Sequence, residues 1–116
     1  MPAPADARLG KLERLLDEAA VLRRNGSLQE AERRYRAALR LRPNAAAALL
    51  LLGTLLAEQA RDKEAAQALQ RSAAFDPDLP DSHYNLGVVQ QRLGPTEDAV
   101  ASFARAAALD PSYAEA

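Results

Sequence analysis

The sequence has no cysteine and no tryptophan, and it holds only three tyrosines and two phenylalanines. Without cysteine there is no disulfide, no thiol nucleophile and no cysteine-based zinc site, and the redox compartment is left open. With aromatics at 4% of residues, the core has to be built from leucine and alanine, which suits closely packed helices. β-Branched residues are also scarce: Val21, Val88, Val89, Val100, Thr54 and Thr96 are nearly the whole set. Strand propensity is therefore low throughout, and the fold class is all-α.

Three further absences bear on function. The single histidine, His83, has no companion ligand, whereas a metal site needs several. No nucleophile–base set is visible, and Gly53 and Gly87 stand in no phosphate-loop context. The sequence thus predicts a protein that is not an enzyme and uses no cofactor or metal. The longest apolar run, residues 45–57, is interrupted by Gly53 and Thr54 and is shorter than the roughly 18–20 residues that span a bilayer. The opening Met1-Pro2-Ala3-Pro4-Ala5-Asp6 has neither the basic nor the apolar region of a signal peptide, so a cytoplasmic location is expected.

What is present is a period. Leu49-Leu50-Leu51-Leu52-Gly53 is answered 34 residues later by His83-Tyr84-Asn85-Leu86-Gly87, Ala65 by Ala99, Leu69 by Phe103, and Asp76-Pro77 by Asp110-Pro111. Pro43 lies one further period upstream. A fixed period of this length marks a stacked repeat array. It divides the chain into repeats at 12–45, 46–79 and 80–113, with residues 114–116 read as the start of a further helix. Repeat 1 carries eight arginines against five acids, for +3, whereas repeats 2 and 3 each carry −2, so the overall −1 hides a mild dipole along the stack. That imbalance is too weak to imply nucleic acid.

Each repeat reads as two helices. Residues 1–4 form a short lead-in, and from Ala5 or Asp6 apolar residues recur at spacings of three and four up to Leu22. Asn25-Gly26 stops this first helix. Ser27-x-x-Glu30 predicts a capping box for the second, with Leu28, Ala31, Tyr35, Ala38, Leu39 and Leu41 inward and Pro43 at its end. The third spans about 45–59 behind Asn44. The fourth spans about 62–75 behind Asp62, with Ala65, Ala66, Leu69, Ala73 and Phe75 inward. The fifth opens at Pro80-Asp81. The sixth spans about 96–109 behind Thr96, with Ala99, Val100, Phe103, Ala106, Ala107 and Leu109 inward. Short connections between such helices force antiparallel hairpins. Numbering each repeat from 1, the small residue at position 8 (Ala19, Gly53, Gly87) is expected to face the alanine at position 20 (Ala31, Ala65, Ala99), drawing the two axes close. Glu30 and Glu32 form i, i+4 pairs within the arginine run at 33, 34, 36 and 40, which reads as a solvated outer face, with an anionic partner as the alternative.

These marks resemble the tetratricopeptide repeat, whose signature is W-x2-L-G-x2-Y, A-x3-F and P on a 34-residue period. Repeat 2 reads Leu49-x2-Leu52-Gly53-x2-Leu56, Ala65-x3-Leu69 and Pro77. Repeat 3 reads His83-x2-Leu86-Gly87-x2-Gln90, Ala99-x3-Phe103 and Pro111. Repeat 1 is a weaker copy, with Glu18-Ala19 in place of Leu-Gly, as suits a terminal repeat. The resemblance implies a right-handed α-solenoid of six helices plus the start of a seventh, working as a non-catalytic protein–protein interaction module. It also implies a concave groove lined by positions 2, 5, 6, 9, 12 and 13. In this chain those positions supply Leu16, Ala20 and Arg23 from repeat 1, Leu50, Leu51 and Thr54 from repeat 2, and Tyr84, Asn85, Val88 and Gln91 from repeat 3.

The carboxylate clamp of one family variant would require lysine, arginine or asparagine where this chain has Leu16, Ala20, Leu51, Asp81 and Asn85. The clamp is therefore not expected, and neither is the asparagine ladder of another variant, since position 6 runs Asp17, Leu51, Asn85. What remains is an apolar strip of Leu16, Leu50, Leu51, Tyr84 and Val88, suited to a peptide or amphipathic helix of a partner, with Tyr84 as its anchor. No nucleic acid and no membrane insertion are expected. The alternative is a regulatory or oligomerising domain of a larger protein, such as a transferase, self-associating through an uncovered last helix. Abundant alanine and an excess of arginine over lysine hint at a GC-rich bacterial gene.

Overall fold

A computed structural model describes residues 4–94 and 97–115. Six helices follow in order: α1 (Pro4–Arg24), α2 (Leu28–Leu41), α3 (Ala46–Glu58), α4 (Asp62–Phe75), α5 (Pro80–Leu93) and α6 (Glu97–Leu109). A single 3-10 turn, Pro111–Glu115, packs on α6. The expected cap Thr96 lies outside the described residues. Helices pair as the hairpins α1–α2, α3–α4 and α5–α6, and α2 against α3 and α4 against α5 join the hairpins to one another. The molecule measures 50 × 28 × 22 Å with a radius of gyration of 14.9 Å. A compact chain of this length would have about 13 Å, so the hairpins stack in a line as a helical solenoid.

The core follows the period. Ala31, Tyr35, Ala65, Leu69, Leu52, Leu55, Leu56, Leu86 and Val89 form one buried cluster. Position 10 shows what stacking does. Leu55 and Val89 are fully buried, whereas Val21, with no hairpin packed before it among the described residues, is 47% exposed. Helix breaks occur where turn chemistry allows them: Gly26 adopts φ +84° and closes α1.

Several local expectations fail for identifiable reasons. Ser27 precedes α2 but makes no side-chain cap bond, and the reciprocal half of the capping box is absent too, because the Ser27 N–H donates to the Leu22 carbonyl while Glu30 pairs with Arg33 and Arg34. The residues before α3 and α4 are Ala45 and Arg61, again without side-chain caps. Asp62 turns toward α5, with its Oδ1 3.0 Å from Arg92 Nη2; that contact is an ion pair and not an aligned hydrogen bond. Ion pairing, within α2 for Glu30 and across to α5 for Asp62, takes the place of side-chain capping.

Phe75 and Val100 are 51% and 69% exposed, not inward. Phe75 is the last residue of α4 and stands at the hairpin's edge. Val100 occupies position 21, which the following hairpin covers in repeat 2, where Ala66 is 8% exposed. The neighbours of the position-8 glycines also differ from expectation. A Cβ on Gly53 would lie 2.6 Å from Leu69 Cγ, with Ala65 approaching only through its carbonyl oxygen at 3.4 Å. A Cβ on Gly87 would lie 2.9 Å from Phe103 Cδ1 and Cε1. The residue at position 24, not the alanine at 20, occupies the missing side-chain space.

Candidate functional site: the helix-A surface

α1, α3 and α5 present the residues at positions 2, 5, 6, 9, 12 and 13. None of the ten predicted groove residues is buried: Ala20 and Gln91 are exposed, and Leu16, Arg23, Leu50, Leu51, Thr54, Tyr84, Asn85 and Val88 are half-buried. The helical period explains this, because positions 3, 7 and 10 of the same helices (Ala48, Leu52 and Leu55 in α3) take the core side. Leu16, Leu50 and Leu51 rest their inner edges on the core cluster and leave their outer edges to solvent.

The polar residues of this surface are largely engaged with one another. Thr54 donates from Oγ1 to the Leu50 carbonyl at 2.8 Å, and Asn85 donates from Nδ2 to Thr54 Oγ1 at 3.2 Å, tying α5 to α3. Arg23 pairs with Glu58 and donates from Nε at 3.2 Å, tying α1 to α3. Arg92 donates from Nη2 to the Ala57 carbonyl at 3.2 Å. The surface therefore offers an apolar strip between satisfied polar groups.

Two clefts open along it. Leu51, Ala20, Arg23, Arg24, Glu58 and Tyr35 line one of about 430 Å³. Leu12 and Leu16 face residues 45–48 across another of about 300 Å³. The period assigned Tyr35 to the core, and its ring is indeed buried, but it also forms the floor of the first cleft. Burial pushes its phenol pKa up, while the neighbouring Arg23 guanidinium pulls it down. The signal in the sequence was a phenol where the repeat signature has phenylalanine, since a buried hydroxyl needs a polar neighbour.

Tyr84 is differently placed from a free anchor. Its ring meets Phe103 edge-on at 5.5 Å and stacks on Tyr113 at 4.9 Å, so the turn after α6 lies against it. His83 donates from Nε2 to the Pro77 carbonyl at 2.8 Å, fastening the α4–α5 connection. Among the described residues no three His, Asp or Glu side chains gather to hold a metal ion. None of the described helices is long and apolar enough to cross a membrane.

Comparison with known proteins agrees with this geometry. Tetratricopeptide repeat models match residues 16–80 and 80–113. The chain is 41% identical over 64 residues to protein O-mannosyl-transferase Tmtc2 of Drosophila melanogaster, a stretch that is 55% of this chain and 7% of that protein. An O-GlcNAc transferase of Thermobaculum terrenum superposes with a TM-score of 0.87 at 33% identity, over 97% of this chain and 21% of that one. The chain thus spans about a fifth or less of the length of these two transferases. The tetratricopeptide domain of Arabidopsis OM64 superposes with a TM-score of 0.85 over 90% of this chain and 87% of that one; at 17% identity it shows the fold alone. With a repeat model covering more than half its length, this chain belongs to the tetratricopeptide repeat family.

Proposed function

We propose that this chain is a non-catalytic protein-interaction module that holds a peptide or amphipathic helix of a partner on the surface of α1, α3 and α5. The observation that carries this reading is the half-exposed strip of Leu16, Leu50, Leu51 and Val88 between polar residues that already have partners. Satisfied polar groups need no water stripped from them on binding, so apolar contact supplies the affinity. Tetratricopeptide repeats in general mediate protein binding without catalysis. The test is peptide selection from a displayed library, followed by Leu51→Gln and Val88→Gln in one variant. Wild-type-selected amphipathic peptides should be lost by that variant while its far-UV circular dichroism is unchanged. Unchanged capture would sink the groove reading.

A second reading, a regulatory or oligomerising part of a larger enzyme, has its own support. The two transferases are much longer than this chain, and the matched stretch is a small part of each. Val100 stands 69% exposed on α6, where a further hairpin or a second copy would lie. The full reading frame of the gene discriminates: a transferase domain encoded in the same frame supports this reading, and a frame without one removes it. Sedimentation velocity of the chain and of Val100→Lys separates self-association from a lone stack.

A further inference from the structure

The helix-B surface, away from the groove, carries a site that the repeat pattern does not require. Between α2 and α4 an open crevice of about 310 Å³ is lined by Arg36, Arg40 and Arg71, with Leu39 and Pro43 as its apolar part. The repeat itself supplies a control. One period on, the corresponding positions are Gln70, Ala74, Arg105, Ala73 and Pro77. Only one arginine survives there, and its Nη2 lies 3.8 Å from Asp78 Oδ1. The position of Asp78 is held in repeat 1 by Asn44. The first crevice has therefore gained two guanidinium groups and lacks the carboxylate that partners the third.

Pairing within the crevice is incomplete. Arg36 is matched, donating from Nε to Glu32 at 2.9 Å, with Glu64 3.7 Å away. Among the described residues Arg71 donates only to the Pro43 carbonyl, at 3.4 Å. Arg40 has no ion pair among the described residues. Two uncompensated positive charges on planar forks beside a small apolar wall suit a compact oxyanion of nearly two negative charges. A phosphate monoester carries about −1.5 to −2 near neutral pH, whereas a carboxylate carries only one charge. A long polyanion fits poorly, because repeats 2 and 3 on the same stack are each −2 and would repel its flanks.

We propose that the α2–α4 crevice binds a phosphorylated side chain of a partner peptide through Arg40 and Arg71, with Arg36 beside them. The test is NMR of the ¹⁵N-labelled chain, reading arginine Nε–Hε signals at low salt. The probes are a phosphoserine hexapeptide, its unphosphorylated counterpart, inorganic phosphate and a short single-stranded DNA. The expected result is a saturable shift of Arg40 and Arg71 with phosphopeptide and none with its counterpart. Arg40→Gln with Arg71→Gln should weaken binding about tenfold, the loss expected for removing charge-assisted hydrogen bonds. Asn44→Asp, which restores the carboxylate of the second crevice, should weaken it about threefold while leaving both arginines in place. Equal response to both peptides, response to inorganic phosphate alone, tighter binding of the DNA, or insensitivity to these variants would each overturn the proposal.

Discussion

The hydroxyls of Ser72 and Ser82 meet at 2.7 Å in the α4–α5 interface, both fully buried. Ser72 donates onward to the Ala46 carbonyl at 2.8 Å, so Ser82 donates to Ser72, and three helices share one chain of hydrogen bonds. The same two positions one interface earlier are Ala38 and Ala48, equally buried. One stacking geometry thus accepts either a hydrogen-bonded pair or two methyl groups.

That equivalence gives a sharp expectation for the pair. Ser72→Ala leaves the Ser82 hydroxyl buried without its acceptor and should cost about 1–3 kcal/mol. Ser72→Ala with Ser82→Ala recreates the Ala38–Ala48 arrangement and should recover most of that loss. Urea denaturation of these two variants and of Ser82→Ala alone measures the coupling, and strictly additive losses would contradict it.

The glycines at position 8 are held by space. Gly87→Leu would drive a side chain into the Phe103 ring, 2.9 Å from the first added carbon, and should destabilise by about 2–3 kcal/mol through overpacking. Adding Phe103→Leu should return part of it. A neutral Gly87→Leu in thermal melts would mean that α5 and α6 are not so closely packed.

Glu32 links the first two repeats. Arg61 donates to it at 2.6 Å from Nη1 and at 3.3 Å from Nη2. This pairing holds the Glu32 carboxyl below its ordinary value of 4.5, against the opposing effect of burial and with Arg36 adding to it. A depressed folded pKa means that the unfolded chain binds more protons in mild acid. The stabilisation is present above about pH 4.5 and is lost as pH falls through the folded value. Glu32→Gln should cost about 1 kcal/mol at pH 7, with the deficit shrinking below pH 4.5 and in high salt. Unfolding at pH 7, 5 and 3 tests this; a deficit independent of pH would contradict it.

Tyr113 lies on Tyr84 and so belongs to the last hairpin's packing. Tyr113→Ala should lower stability by about 1–2 kcal/mol, the ring contact plus the area uncovered, and should weaken the near-UV circular dichroism. Tyr113→Phe keeps the stack and should be near neutral. Loss in both variants would point to the hydroxyl instead.

The 34-residue period by itself determined the six helices, their pairing and the side of each that is core, because each hairpin's geometry is set by local spacing of leucine, alanine, glycine and proline. It could not determine what covers each hairpin. Position 21 reads as apolar in both Ala66 and Val100, yet only a following hairpin buries it. Tyr84 has the spacing of a groove residue, but the turn at 111–115 brings a second ring onto it. Asp62 has the spacing of a cap, but Arg92 reaching from α5 pairs with its carboxylate. The Arg40–Arg71 crevice joins residues 31 apart in the chain, and only the packing of the α3–α4 hairpin on α2 brings them to one opening. Helix formation is local and periodic, whereas burial and the partners of long charged side chains depend on neighbouring repeats, and those relationships exist only in the folded stack.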